Sequence, residues 1–172
     1  MANLYGMVNV PNAVWINEEG RIVRPPEPAG ASDGFRAMDQ KTFAMPEEAV
    51  AKSREVKRAY LDGLRDWVAR GEASPWALPK ADVLPRMKPV TADHELAAAN
   101  FALARHLHTQ GNRAEAAPYF AEAIRLHPEN WSYKRQAWAL EDPPKAGGPE
   151  FWAAVEALGA ERYYPPIHMP VG

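Results

Sequence analysis

Apolar residues are distributed along the chain in two distinct ways. The first is a short unbroken run, Ala13, Val14, Trp15 and Ile16, followed by the polar stretch Asn17-Glu18-Glu19-Gly20 and a second apolar step at Ile22 and Val23. That pattern predicts a β-hairpin over 12–24. Asn17 suits the opening position of a turn, and Gly20 can take the positive φ that follows a type I turn. The first strand is apolar at successive rather than alternate positions, so burial on both faces is expected. Pro25 and Pro26 are expected to stop the second strand.

The second pattern has a helical period. After a loop over 27–45 with room for a helical turn, Val56, Tyr60, Leu64, Trp67 and Val68 recur mostly at spacings of three and four. They predict a helix over 46–70 with one apolar face. Pro46 suits its first turn, Glu47 and Glu48 its positive end, and Gly71 its stop. Residues 72–90 are rich in proline, yet Trp76, Leu78, Val83 and Leu84 make the segment too apolar for a free linker, so it is expected to lie against the fold. Thr91 or Asp93 can cap a helix over about 93–110. Gly111-Asn112 turns the chain into a helix over about 113–127, which Pro128 ends. Another begins near Asn130 and closes at Pro143-Pro144. A short one over about 149–158 ends at Gly159, and an extended tail carries Tyr163-Tyr164-Pro165-Pro166. The fold class is therefore α+β, mostly helical, with one hairpin.

Composition narrows the chemistry. The chain has 172 residues and no cysteine. Disulfides, thiolate nucleophiles, iron–sulfur clusters and zinc sites with Cys ligands are excluded. Twenty basic residues against 22 acidic ones give a net charge of −2, which offers no electrostatic ground for nucleic acid or an acidic membrane as partner. The N-terminal stretch lacks the basic and apolar regions expected of a secretory signal, and no apolar run approaches the roughly 20 residues of a spanning helix. The default expectation is a soluble cytoplasmic protein. Seventeen prolines, grouped near 25–28, 75–89, 143–149 and 165–170, mark the joints.

Two constellations carry more than composition does. Asn100, Leu103, Ala104, Leu107, Gly111, Ala116, Phe120, Ala123 and Pro128 are spaced as in a helical hairpin. Ala104, Ala116 and Ala123 are small where two helices approach. Leu103, Leu107 and Phe120 fill the space between them, and Gly111 permits the reversal. The spacing resembles one tetratricopeptide repeat. An ordinary helical hairpin satisfies it equally, since repeat arrays usually need about three copies to bury a continuous core.

The other constellation is Val10-Pro11-Asn12-Ala13-Val14-Trp15-Ile16-Asn17-Glu18-Glu19-Gly20-Arg21-Ile22-Val23. It resembles the stretch of thioredoxin-like proteins of the TlpA and ResA type in which Val-Pro leads into an apolar strand, a Gly turn and a second strand. The resemblance implies a cis Val10–Pro11 bond and makes Val10 and Pro11 the substrate-binding residues. Asn17 departs from the family's usual Asp. In that family the first hairpin strand pairs inward with an earlier strand, next to the helix bearing Cys-X-X-Cys, and the helix over 46–70 would be the last of the domain. With ten residues before Pro11, those elements are expected to be missing from this chain. The chain is thus expected to comprise a truncated thioredoxin-like segment, 1–72, and a tetratricopeptide-like helical region, 73–172.

The remaining signals are weak. His94, His106, His108, His127 and His168 show no metal-ligand spacing, and His94 and His108 would stand about 21 Å apart along one helix. Glu18-Glu19 and Glu47-Glu48 are explained by a turn and a helix start. No cofactor and no catalytic constellation is indicated. The expected role is non-catalytic binding or scaffolding, with a protein or peptide as partner, including a second copy paired through the hairpin edge. The alternative is a fragment or subunit of a thiol–disulfide oxidoreductase whose cysteines lie on a missing N-terminal segment or a partner chain.

Overall fold

The computed structural model describes residues 2–170. The chain is mostly helical α+β, 58% helical with one two-stranded antiparallel sheet. It divides into two compact units, each built from two segments: residues 1–9 with 89–159, and residues 10–88 with 160–172.

The unit built from 10–88 and 160–172 holds the hairpin. Strands β1 (Asn12–Ile16) and β2 (Ile22–Pro28) are joined by a turn in which Gly20 has φ +74° and donates its N–H to the Asn17 carbonyl at 2.9 Å. Pro25 and Pro26 do not stop β2, which runs on to Pro28. The register explains how they are tolerated. Trp15 faces Arg24 and Ala13 faces Glu27, so one β1 residue opposes the two prolines in a bulge, where ladder donors are not required. Helix α1 (Glu47–Arg70) begins after Pro46 with Glu47 and Glu48 in its first turn, and it ends at Gly71, φ +55°. A short helix α2 (Lys80–Val83) lies within the Pro-rich connection, which packs onto the unit as expected: Val83 is buried, and the Leu78 N–H donates to the Val23 carbonyl at 2.8 Å.

The core of this unit gathers around Trp15, with Val23, Tyr60 and Ile167 also buried and Trp67 and Trp76 packed against them. The Trp15 ring stacks on Trp67 at 5.0 Å and meets Tyr60 edge-on at 5.8 Å. Burying one such side chain is worth on the order of 5 kcal/mol in gross transfer free energy. Val68, expected on the apolar face of α1, is instead 75% exposed. It sits one residue beyond Trp67, on the flank of a face that Tyr60, Leu64 and Trp67 already fill.

The unit built from 1–9 and 89–159 is helical: α3 (Ala92–Thr109), α4 (Arg113–Leu126), α5 (Trp131–Glu141) and α6 (Pro149–Glu156). Thr91 caps α3 by accepting the His94 N–H, and Gly111 turns the chain at φ +86°. Ala97, Phe101, Ala104, Ala116, Phe120, Ala123 and Leu126 form one core, closed from α5 by Tyr133 and Ala137. The three alanines lie at the helix contact, as the spacing predicts. Leu103 does not: it is exposed, and Phe101 takes the interior place, stacked on Tyr133 at 4.2 Å.

Candidate functional site

Strand β1 carries the residues that the sequence singles out, and alternation along it determines what each can do. Ala13 and Trp15 point into the core. Val14 and Ile16 therefore point to the opposite face. There Val14 is half-buried and Ile16 exposed, so the strand is apolar on both sides but covered fully on one. The expectation of burial on both faces is corrected accordingly. Among the described residues β2 is the one strand that pairs with β1, and residues 12–16 make no backbone hydrogen bond outside the hairpin. The other edge of β1 thus lacks a strand. Two polar atoms at the ends of this strand are buried without a partner: Asn12 Oδ1, and Nδ2 of Asn17, the residue that follows Ile16. Asn17 cannot flip to relieve this, because its Oδ1 already accepts the Arg21 N–H at 2.9 Å.

Val10 and Pro11 stand at the start of this strand. The bond between them is cis. The Val10 side chain is exposed, while its carbonyl accepts the Tyr164 hydroxyl at 2.7 Å and the Pro11 carbonyl accepts the Ala29 N–H at 3.2 Å. Both carbonyls are used within the unit, so what Val10 offers outward is its apolar side chain.

A charged side chain lies beneath the strand. Arg24 is fully buried, 5.2 Å from the Trp15 ring and 5.0 Å from that of Trp76. Its guanidinium donates to the Glu27 carboxylate, to the Trp76 carbonyl at 3.0 Å and to the His168 carbonyl. Arg24 therefore ties β2, the Pro-rich connection and the C-terminal segment together. Such a buried charge is tolerated because every side of the fork is occupied. Tyr60 receives the Trp15 indole N–H at 2.9 Å, and burial pushes its phenol pKa up.

In the helical unit, His94, His127 and Glu129 converge, the one group of histidines and acids among the described residues whose side chains could hold a metal ion. The sequence reading missed it. His94 and His127 are separated by two helices, and only the antiparallel return of α4 along α3 brings the start of one beside the end of the other.

The remaining features are negative. No helix among the described residues is long and apolar enough to cross a membrane. No family model, curated protein or solved structure matches the chain.

Proposed function

We propose that this chain is a non-catalytic interaction protein of thioredoxin-like ancestry that docks a partner strand along the open edge of β1. The observation that carries the reading is β1 itself: an apolar strand with one side packed on Trp15 and its neighbours, with Ile16 exposed, Val14 half-buried and, among the described residues, no strand paired to one backbone edge. Proteins commonly protect such edges, and a strand added there would gain ladder hydrogen bonds and side-chain contacts together. A second copy is the favoured occupant, because two identical edges pair by a twofold axis into one continuous sheet. The Val10-Pro11 hairpin supports the ancestry, and the alanine-lined contact of α3 with α4 supports a tetratricopeptide-like hairpin as a second binding element. In the alternative reading, a subunit of a thiol–disulfide oxidoreductase, the same edge would take a strand from a cysteine-bearing chain.

Sedimentation tests the dimer. The chain should self-associate at tens of micromolar, and amides on the free edge of residues 13–17 should be protected from exchange only at concentrations where the dimer forms. Val14→Pro should lower association along with stability, whereas the exposed change Arg58→Ala should alter neither. A monomer at these concentrations, with the same amides slow to exchange, would mean that the edge is covered from within its own chain.

A further inference from the structure

The packing of α3 on α4 places two imidazoles face to face. His94 is the third residue of α3. Thr91 Oγ1 accepts its backbone N–H at 3.2 Å, and the Thr91 N–H in turn points at His94 Nδ1 at 3.5 Å. His127 follows the last residue of α4 and is buried. The rings stack with centroids 4.0 Å apart and planes 16° apart. Both present Nε2 to the same carboxylate oxygen: Glu129 Oε1 is 3.6 Å from His94 Nε2 and 3.9 Å from His127 Nε2. All three ligand atoms lie within 4.8 Å of one another.

We propose that His94, His127 and Glu129 bind a divalent cation of the zinc class. Two imidazole nitrogens and one carboxylate oxygen form a donor set that suits a borderline ion. Ligands around a tetrahedral ion with bonds near 2.0–2.1 Å stand about 3.3 Å apart, so the Glu129 distances need to contract by only a few tenths of an ångström. Glu129 is half-exposed and gives the ion a route in, while the buried His127 is already held in place. Three protein ligands leave a fourth position for water or for a donor from another molecule.

Two features set how the ion is taken up. A nitrogen lone pair lies in the plane of its ring, so stacked rings cannot both aim at one ion until they swing apart. Coordination through Nε2 also moves the ring proton to Nδ1. Both Nδ1 atoms presently face donors, the Thr91 N–H and the Asn130 side-chain amide at 3.4 Å. The Thr91 contact is long and exposed and yields easily. Asn130 is buried, and its Oδ1 is committed to the Tyr133 N–H at 3.1 Å, so its NH2 group must face His127. Asn130 therefore opposes metal uptake. Asn130→Asp keeps the cap acceptor and adds an oxygen that takes the His127 Nδ1–H, the carboxylate–histidine–metal arrangement that strengthens such sites.

The test is titration of the untagged full-length chain with Zn2+ against a chromophoric chelator, with Co2+ as a spectroscopic probe of coordination number. One ion should bind per chain, and Co2+ should give the intense visible absorption of a four-coordinate site. Glu129→Gln and His94→Ala should each weaken uptake about tenfold or more, Asn130→Asp should tighten it by about tenfold, and the exposed His106→Ala should leave it unchanged. Because Glu129 is half-exposed, Glu129→Gln should retain the native circular dichroism and so carries the test if a histidine variant misfolds. Failure to take up one equivalent at about 100 µM free Zn2+, a micromolar-class threshold, overturns the proposal. So does uptake that Glu129→Gln and His94→Ala leave unaltered, or a weakening by Asn130→Asp in a folded chain.

Discussion

Gly63 lies well inside α1, where replacing glycine with alanine ordinarily stabilises a helix by about 1 kcal/mol. Here the sign reverses. A Cβ at this position would stand 2.4–2.6 Å from ring atoms of Trp76, an indole already pressed between α1 and the Arg24 guanidinium. Gly63→Ala should therefore overpack the contact and destabilise the protein by about 1–3 kcal/mol net, read as a lower denaturant midpoint. A midpoint that rises would show that Trp76 can move aside. Tyr60 offers a pH test of the same core. Its phenol pKa is raised chiefly by burial, with the Trp15 hydrogen bond acting in the opposite direction. A group that holds its proton more tightly when folded stabilises the fold below its unfolded pKa, about 10. That contribution disappears as pH rises through the folded value. Stability should thus fall steeply above pH about 10, and Tyr60→Phe should flatten the part of that fall due to Tyr60. An unchanged alkaline slope in the Phe variant would assign the loss to other groups. His94 and His127 show why sites can be invisible at this scale in sequence: they stand 33 residues apart, and their convergence depends on the return of a whole helix.

Helices α3 and α4 approach closely because Ala104, Ala116 and Ala123 present only methyl groups at their contact; Ala116 is 1% exposed and Ala123 0%. Replacing either Ala116 or Ala123 with Leu should force the helices apart and cost about 1–3 kcal/mol. Unchanged midpoints for both variants would mean that the contact lies elsewhere. The small-residue spacing was legible in the sequence because it follows the helical period directly. So were the span of α1, marked by Pro46 and Gly71, and the hairpin turn at Asn17–Gly20. What could not be read was the choice between neighbouring apolar residues. Phe101 and Leu103 are two apart, and the rings of Phe120 on α4 and Tyr133 on α5 are what mark Phe101 as interior. β2 misled for a related reason. Proline is excluded from a regular ladder but not from a bulge, and the bulge is a property of the pairing with β1 rather than of either strand. Arg24 is the same lesson in charge: nothing local marks this arginine as buried, because its partners at Trp76 and His168 come from distant segments.

The unit that holds the hairpin is finished by the end of the chain, and this gives the last prediction. Residues 160–172 return to it after the whole helical unit has been built. Tyr163 and Ile167 are buried in that return. The backbone N–H groups of Tyr163 and Tyr164 both donate to the Asp33 carboxylate, at 3.1 and 2.6 Å, and the His168 N–H donates to Glu27 at 3.1 Å. Removing the segment would strip Ile167 from the cluster around Trp15, leave two acceptors short of donors and take the His168 carbonyl from the buried Arg24. Opening a buried charge network of this kind costs about 3–5 kcal/mol, a large share of the stability of a small unit. Every described residue of the helical core, from Ala97 to Ala137, remains in a chain ending at Gly159. Truncation there should accordingly be selective. Amide protection should fall across β1, β2 and α1 and persist across α3 and α4, and the emission of Trp15, Trp67 and Trp76 should move toward that of water-exposed indole. Equal loss of protection in both units would show that they unfold as one, and retained protection in β1 and α1 would show that the returning segment is dispensable to the core it enters.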